Sequence, residues 1–238
     1  MQAAGISHIG LVRKKNEDKY IMDLQQQLFV ICDGMGGHKG GKVASAIATQ
    51  VIERHFITSD VTDKMAALNA AIKAANLKIW RVGSKKAEFH EMGTTATAAV
   101  IEDDRLLIAH VGDSSLFLLR DNQIAKITVD HTLAHQMVID GLLKESEVRT
   151  CSYNHILTRA VGVQENVKID NYTEIIQPGD HIIICSDGLT DMLEEDEISA
   201  ITSENNIAAD AEKIAETLVA TALNKGGYDN ITVIVLYI

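Results

Sequence analysis

Proline is nearly absent from this chain, with one residue among 238. No Pro/Gly/Ser-rich stretch divides the sequence either, so it predicts one domain over residues 1–238 rather than two joined by a linker. No apolar run reaches the roughly 18 residues of a membrane span. Met1-Gln2-Ala3-Ala4-Gly5 carries neither the basic nor the apolar region of a signal peptide. Cysteine is scarce: there are three, two of them inside predicted buried strands. That usage suits reduced thiols and predicts a cytoplasmic protein. No cysteine is followed by arginine at the C-x₅-R spacing of a thiol phosphatase. Basic residues are outnumbered, 22 against 33 acidic, for a net charge of −11. This excludes a general nucleic-acid binder but not a phosphorylated substrate, since a local cationic site can override net charge.

What is present is a large apolar fraction, 46%, enough for a packed core. Short apolar runs predict strands over residues 6–12, 19–23, 28–32, 94–101, 105–111, 116–119, 123–128, 172–176, 181–185 and 231–237. Helical spacing of Val43, Ile47, Val51 and Ile52 predicts a helix over 42–56. Met65, Leu68, Ile72, Ala75 and Ile79 predict one over 63–82, and Ala211, Ile214, Leu218 and Ala222 one over about 208–223. Residues 130–140 also read as helical, and 143–154 as polar and irregular. The turns Glu102-Asp103-Asp104 and Asp121-Asn122 are too short for βαβ crossovers and favour antiparallel hairpins. The class is therefore α+β with antiparallel sheets.

Two of these runs end alike. Leu28-Phe29-Val30-Ile31-Cys32 runs into Asp33-Gly34, and Ile182-Ile183-Ile184-Cys185-Ser186 into Asp187-Gly188. Each predicted strand delivers a carboxylate at its end, and the glycine lets the chain turn sharply. Asp229 stands just before the last strand, and Glu17 and Asp18 open the strand around Tyr20. Carboxylates gathered from distant segments repel one another and call for cations between them. All-oxygen donors favour Mg²⁺ or Mn²⁺ over zinc.

Further motifs accompany these: Asp33-Gly34-Met35-Gly36-Gly37-His38-Lys39-Gly40-Gly41, Arg13-x-x-Asn16-Glu17-Asp18, Gly93-Thr94-Thr95, His110-Val111-Gly112-Asp113-Ser114, Leu157-Thr158-Arg159-Ala160-Val161-Gly162, Ser186-Asp187-Gly188 and Asp229-Asn230. With these motifs in this order, essentially the whole chain resembles the protein phosphatase 2C family, the metal-dependent Ser/Thr phosphatases, in its compact bacterial form. The resemblance implies a four-layer α-β-β-α sandwich of two antiparallel sheets flanked by helices, with metals in a channel at one end. It implies that Asp33 bridges two Mn²⁺ or Mg²⁺ ions, with the Gly34 carbonyl, Asp187 and Asp229 completing the binuclear site. Glu17 and Asp18 match the family's acidic pair, which holds metal or metal-bound water, and Asp113 the position tied to a third metal. Arg13 matches the phosphate-binding arginine, and His38 is the candidate proton donor. The implied partners are phosphoSer/phosphoThr proteins, with a cognate Ser/Thr kinase or its substrates among them, and the implied state is a monomer.

The residue types suit that chemistry in their own right. Phosphomonoester hydrolysis needs an activated water, charge neutralisation and a protonated leaving group. Paired cations supply the first two, arginine is a bidentate fork for phosphoryl oxygens, and a histidine near its ordinary pKa can donate the proton. Simpler roles stand beside these. A loop histidine such as His38 also serves as a hydrogen-bonding scaffold, and Asp113 as a hairpin-turn residue. Cys32 and Cys185 read as buried packing. His131 and His135 sit at i, i+4 but lack the glutamate of a zinc helix. Gly36-x-x-x-x-Gly41-Lys42 nearly matches a P-loop, yet Val43 stands where a Mg²⁺-binding Ser or Thr belongs. A pseudophosphatase that binds phosphoprotein without hydrolysis is the other alternative, set against the fact that every matched acidic position is filled.

Three departures from the family pattern stand out. Ser115 replaces an arginine common after Gly-Asp-Ser, and Cys151-Ser152 replaces a frequent His-Pro in the flap beside the site. Receptor-like relatives continue past the last strand into a linker and membrane helix, whereas this sequence ends at Ile238; a stand-alone enzyme and a truncated chain both fit.

Overall fold

Strands buried on both faces give near-continuous apolar sequence, and six of the predicted runs prove to be of that kind. The computed structural model describes residues 1–36, 40–59, 61–204 and 209–238. Its strands are β1 (Gln2–His8), β2 (Lys19–Asp23), β3 (Leu28–Cys32) and β4 (Gly34–Met35), followed by helices α1 (Gly40–Ile57) and α2 (Lys64–Gly83). Then come β5 (Gly93–Thr94), β6 (Ala96–Glu102), β7 (Arg105–Val111), β8 (Ser115–Arg120), β9 (Gln123–Lys126) and helix α3 (Leu133–Ile139). The last part holds β10 (Asp170–Ile175), β11 (His181–Cys185), α4 (Asp187–Thr190), α5 (Glu195–Thr202), α6 (Ala211–Asn224) and β12 (Ile231–Tyr237).

Ten of the strands form two five-stranded sheets, ordered β1-β12-β11-β8-β9 and β10-β7-β6-β3-β2, and β4 pairs with β5 in a two-stranded one, with every pairing antiparallel. Side chains alternate between two apolar layers, as strand geometry requires. Phe29 and Ile31 of β3 meet Leu116, Ile182, Ile184, Ile234 and Leu236 between the sheets. Leu28, Val30 and Cys32 turn the other way, onto α1 and α2. On the far side, Phe117, Ile183, Val233 and Val235 pack under α5 and α6. The fold is thus α+β, a four-layer α-β-β-α sandwich, and its antiparallel sheets are incompatible with a P-loop protein's parallel one.

Register brings the motifs to one end. Lys19 pairs with Cys32, so β2 begins where β3 stops. Cys185, the end of β11, pairs with Ser115 at the start of β8 and with Val233 near the start of β12. Asp33, Asp187, Asp113, Asp229 and Glu17 therefore emerge together.

Several predicted boundaries move. The first strand lies over Gln2–His8 rather than 6–12, because its ladder with β12 ends at the pair His8↔Ile231. Beyond it the chain crosses the sandwich end, where the Leu11 N–H reaches the Gly227 carbonyl at 2.7 Å. Thr95 interrupts the strand predicted over 94–101, since its N–H bonds the Asp33 carbonyl at 2.8 Å. The helix predicted over 130–140 covers only Leu133–Ile139, with the Thr132 side chain as its N-cap. His131 and His135 therefore share no helix. Helices α4 and α5 were not anticipated. The last helix begins at Ala211 behind an Asp210 cap; Ala208, where the sequence started it, lies outside the described residues.

Candidate metal centre

Each acidic motif is fixed by hydrogen bonds that tie one strand end to another. The Asp33 N–H donates to Thr95 Oγ1 at 2.8 Å, and its carbonyl accepts from Thr94 Oγ1 at 2.7 Å. Thr95 Oγ1 in turn lies 2.8 Å from Ser114 Oγ, joining the Gly93-Thr94-Thr95 and Gly112-Asp113-Ser114 motifs. Asn230 holds three segments at once. Its Oδ1 accepts from the Glu17 N–H at 2.8 Å, and its Nδ2 donates to the carbonyls of Ile9 at 2.8 Å and Lys15 at 2.9 Å. Asp18 joins the two sheets: its Oδ2 accepts from Ser186 Oγ at 2.8 Å and Thr232 Oγ1 at 2.6 Å.

Glycine is required where backbones touch. A Cβ on Gly34 would lie 2.2 Å from the Gly41 carbonyl oxygen and 2.7 Å from that of Glu17. A Cβ on Gly188 would lie 2.0 Å from the Asn230 carbonyl oxygen. These approaches close the distance between Asp187 and Asp229 and between Glu17 and the Asp33-Gly34 turn.

The result is a cleft of about 710 Å³ whose lining includes Arg13, Glu17, Asp33, Gly34, Asp113, Asp187 and Asp229. Asp18 lies just beneath it, almost wholly buried. His38 lies outside the described residues. Arg13 is paired with Asp229, Nη2 to Oδ2, at 2.5 Å, and this bond raises its pKa. Burial, then the neighbouring Asp18 and Asp187 charges, push the Asp33 carboxyl well above its ordinary value. Burial and then Asp187 do the same to Asp113. Asp187 is raised to about 6 by burial and then Asp191, and Asp18 to about 6 by burial against its two hydroxyl donors.

These residues fit divalent cations. Asp187 Oδ1 and Asp18 Oδ1 are buried and have no hydrogen-bond partner, and an unpaired buried oxygen among like charges is a strongly disfavoured arrangement that a cation relieves. Two further groups, which the sequence did not single out, belong to the same region. His155, Asp187 and Asp191 offer ligand atoms within 4.8 Å of one another. Asp191 follows Asp187 at i+4, a spacing that would have found it had the short helix α4 been recognised.

The remaining candidates have other work. His131 Nδ1 accepts from the Gly112 N–H at 3.0 Å, and Nε2 meets Asp170 Oδ2 at 3.0 Å. Its ring lies beside that of His110, tilted by 37° with centroids 4.8 Å apart. His135 is 3.9 Å from Glu145. Cys32 and Cys185 are fully buried, and burial raises both thiols, Cys185 to about 12.

A family model described as Protein phosphatase 2C matches residues 5–225. Serine/threonine phosphatase stp of Listeria welshimeri is 31% identical over 236 residues, covering 95% of this chain and 92% of its own. The structure of the Mycobacterium tuberculosis serine/threonine phosphatase PstP/Ppp superposes with a TM-score of 0.89 at 32% identity, covering 98% of this chain and 97% of that one. A structure of the PstP catalytic domain in complex with two manganese ions gives 0.87 at 32% identity, covering 98% and 96%.

Proposed function

Because the chain belongs to the protein phosphatase 2C family, we propose that its cleft hydrolyses phosphoserine and phosphothreonine by direct attack of water, within one catalytic domain over residues 1–238. The protein is a metal-dependent protein serine/threonine phosphatase acting on phosphoproteins. Asp33, Asp187, Asp229 and the Gly34 carbonyl would hold two divalent cations, Mn²⁺ or Mg²⁺, and Asp113 with Asp191 would hold a third. Bound there, cations supply an activated water near neutral pH and neutralise phosphoryl charge.

The chain's own groups do the rest. Arg13 leaves Asp229 to take two phosphoryl oxygens in its planar fork. Asn230 fixes the backbone of Glu17 at 2.8 Å, aiming that carboxylate along the cleft. Asp18, held by Ser186 and Thr232, keeps negative charge behind Asp33. His38, on the sequence reading, gives a proton to the departing Ser or Thr oxygen. The enzyme works as a cytoplasmic monomer that reverses a Ser/Thr kinase. No helix among the described residues is long and apolar enough to cross a membrane.

The supporting observation is the gathering of Asp33, Asp113, Asp187 and Asp229 in one cleft with buried carboxylate oxygens left unpaired. The test is hydrolysis of p-nitrophenyl phosphate and a phosphothreonine peptide by metal-stripped protein, with Mn²⁺, Mg²⁺ or Zn²⁺ added back and ATP hydrolysis in parallel. Turnover restored by Mn²⁺ or Mg²⁺ without ATPase is expected. Tight phosphopeptide binding without turnover under any metal would instead make the chain a pseudophosphatase.

A further inference from the structure

A second, larger groove opens off the metal cleft and shares Asp113, His155, Asp187, Asp191 and Tyr228 with it. Its volume of about 1260 Å³ exceeds the roughly 300–1,000 Å³ of sites for drug-sized ligands. One wall is the irregular segment 145–155; the other is the turn from α4 into α5. The walls are fastened together by Arg149, which pairs with Glu194 at 2.5 Å and donates to the Leu193 and Asp191 carbonyls, each at 3.3 Å.

The groove's cations are spent internally, Lys126 on Asp130 at 2.7 Å and Arg149 on Glu194. Its outlying carboxylates are not. Glu195 and Asp196 are exposed and have no ion pair among the described residues, and Glu145 on the facing wall has only the His135 ring at 3.9 Å. Acids in the first turn of α5 favour that helix's N-terminus, but that gives no reason for Glu145 across the groove.

We infer that this groove seats the polypeptide beside the phosphorylated residue and selects substrates with lysine or arginine there. The inference rests on the phosphatase reading and adds the substrate's charge class to it. A chain leaving the cleft enters a continuous channel, and its cationic side chains meet three unneutralised carboxylates. An acidic flank meets repulsion that the metals, held further in, do not offset. Each exposed pair contributes roughly two- to fivefold, and screening by salt weakens the effect.

The test compares kcat/KM of the metal-loaded full chain on three phosphothreonine peptides of equal length, flanked by lysines, alanines or glutamates, at about 0.05 and 0.5 M salt. Hydrolysis of p-nitrophenyl phosphate by the same preparation tests the phosphatase reading separately. The expected order is lysine, alanine, glutamate, with roughly tenfold or more between the extremes, shrinking at high salt. The double variant E195K/D196K should reverse the order, with its thermal midpoint reporting that it is folded. Equal rates or the opposite order in wild type, with p-nitrophenyl phosphate hydrolysed, would overturn the groove assignment and leave the phosphatase reading intact. An order unchanged in folded E195K/D196K would overturn it equally.

Discussion

Arg13 and Asp229 form a 2.5 Å ion pair across the mouth of the metal cleft. One carboxylate is thus offered both to the arginine that suits phosphate and to the cations that suit the acidic cluster. Arg13 is more than half exposed, 56%, so it can swing toward a phosphoryl group with little loss of packing. Replacing it by alanine should raise KM for p-nitrophenyl phosphate roughly ten- to a hundredfold, the size of a lost charge-assisted contact. Mn²⁺ affinity should stay the same or tighten, because a competitor for Asp229 is gone. Steady-state kinetics and a calorimetric Mn²⁺ titration check the two halves; an unchanged KM would remove Arg13 from phosphate binding.

Asp18 ties acidity to stability. Burial raises its pKa to about 6, above the ordinary 3.8 of the unfolded chain. Its contribution is therefore fully present below pH 3.8 and lost as pH rises through about 6. Metal-free protein should melt at a higher temperature at pH 5 than at pH 7.5. Asp18→Asn should flatten that slope and stabilise the metal-free fold at pH 7.5 by about 2 kcal/mol. Melting curves in chelator across this range decide the matter, and an Asp18→Asn protein with the wild-type slope would contradict it.

Asn230 is 5% exposed and satisfies the Glu17 N–H and two carbonyls. Asn230→Ala strands all three and should cost roughly 2–4 kcal/mol in urea denaturation. It should also lower kcat on p-nitrophenyl phosphate, since Glu17 loses its anchor. Full stability in the variant would mean that water replaces the amide without penalty.

Arg149 offers a contrast of magnitudes. Its pair with Glu194 is exposed on both sides, 44% and 63%, so Arg149→Ala should change stability by less than about 1 kcal/mol. The same change unfastens segment 145–155 from the α4–α5 turn. Limited proteolysis within that segment should speed up several-fold while the global melting temperature barely moves. Equal cleavage rates would show that the segment is held by other contacts.

The parts of the fold that could be read from the residues are those where burial on both faces wrote unbroken apolar runs, as in Leu28–Cys32, His181–Cys185 and Ile231–Tyr237, each found at its predicted bounds. The carboxylates at the ends of those runs were legible for the same reason. What escaped notice was set by tertiary context. Helix α5 buries only Ile198 and Thr202, too few for a periodic signal. The first strand's limits follow its partner β12 rather than its own pattern. His155 stands in irregular chain, and only the folded backbone brings it to 3.9 Å from Asp187 and from Asp191. Thr132 caps a helix that the sequence reading had started at residue 130, too early.

The central claim is that Asp33, Asp187 and Asp229 hold cations on which hydrolysis depends. Its most direct test is a Mn²⁺ titration of metal-stripped protein, reading bound ions and p-nitrophenyl phosphate turnover on the same samples, for wild type and Asp187→Ala. The account predicts that wild-type turnover rises with occupancy of the two-ion site, and that Asp187→Ala loses both high-affinity binding and turnover. Turnover by chelated wild-type protein, or undiminished ion binding and rate in Asp187→Ala, would contradict it.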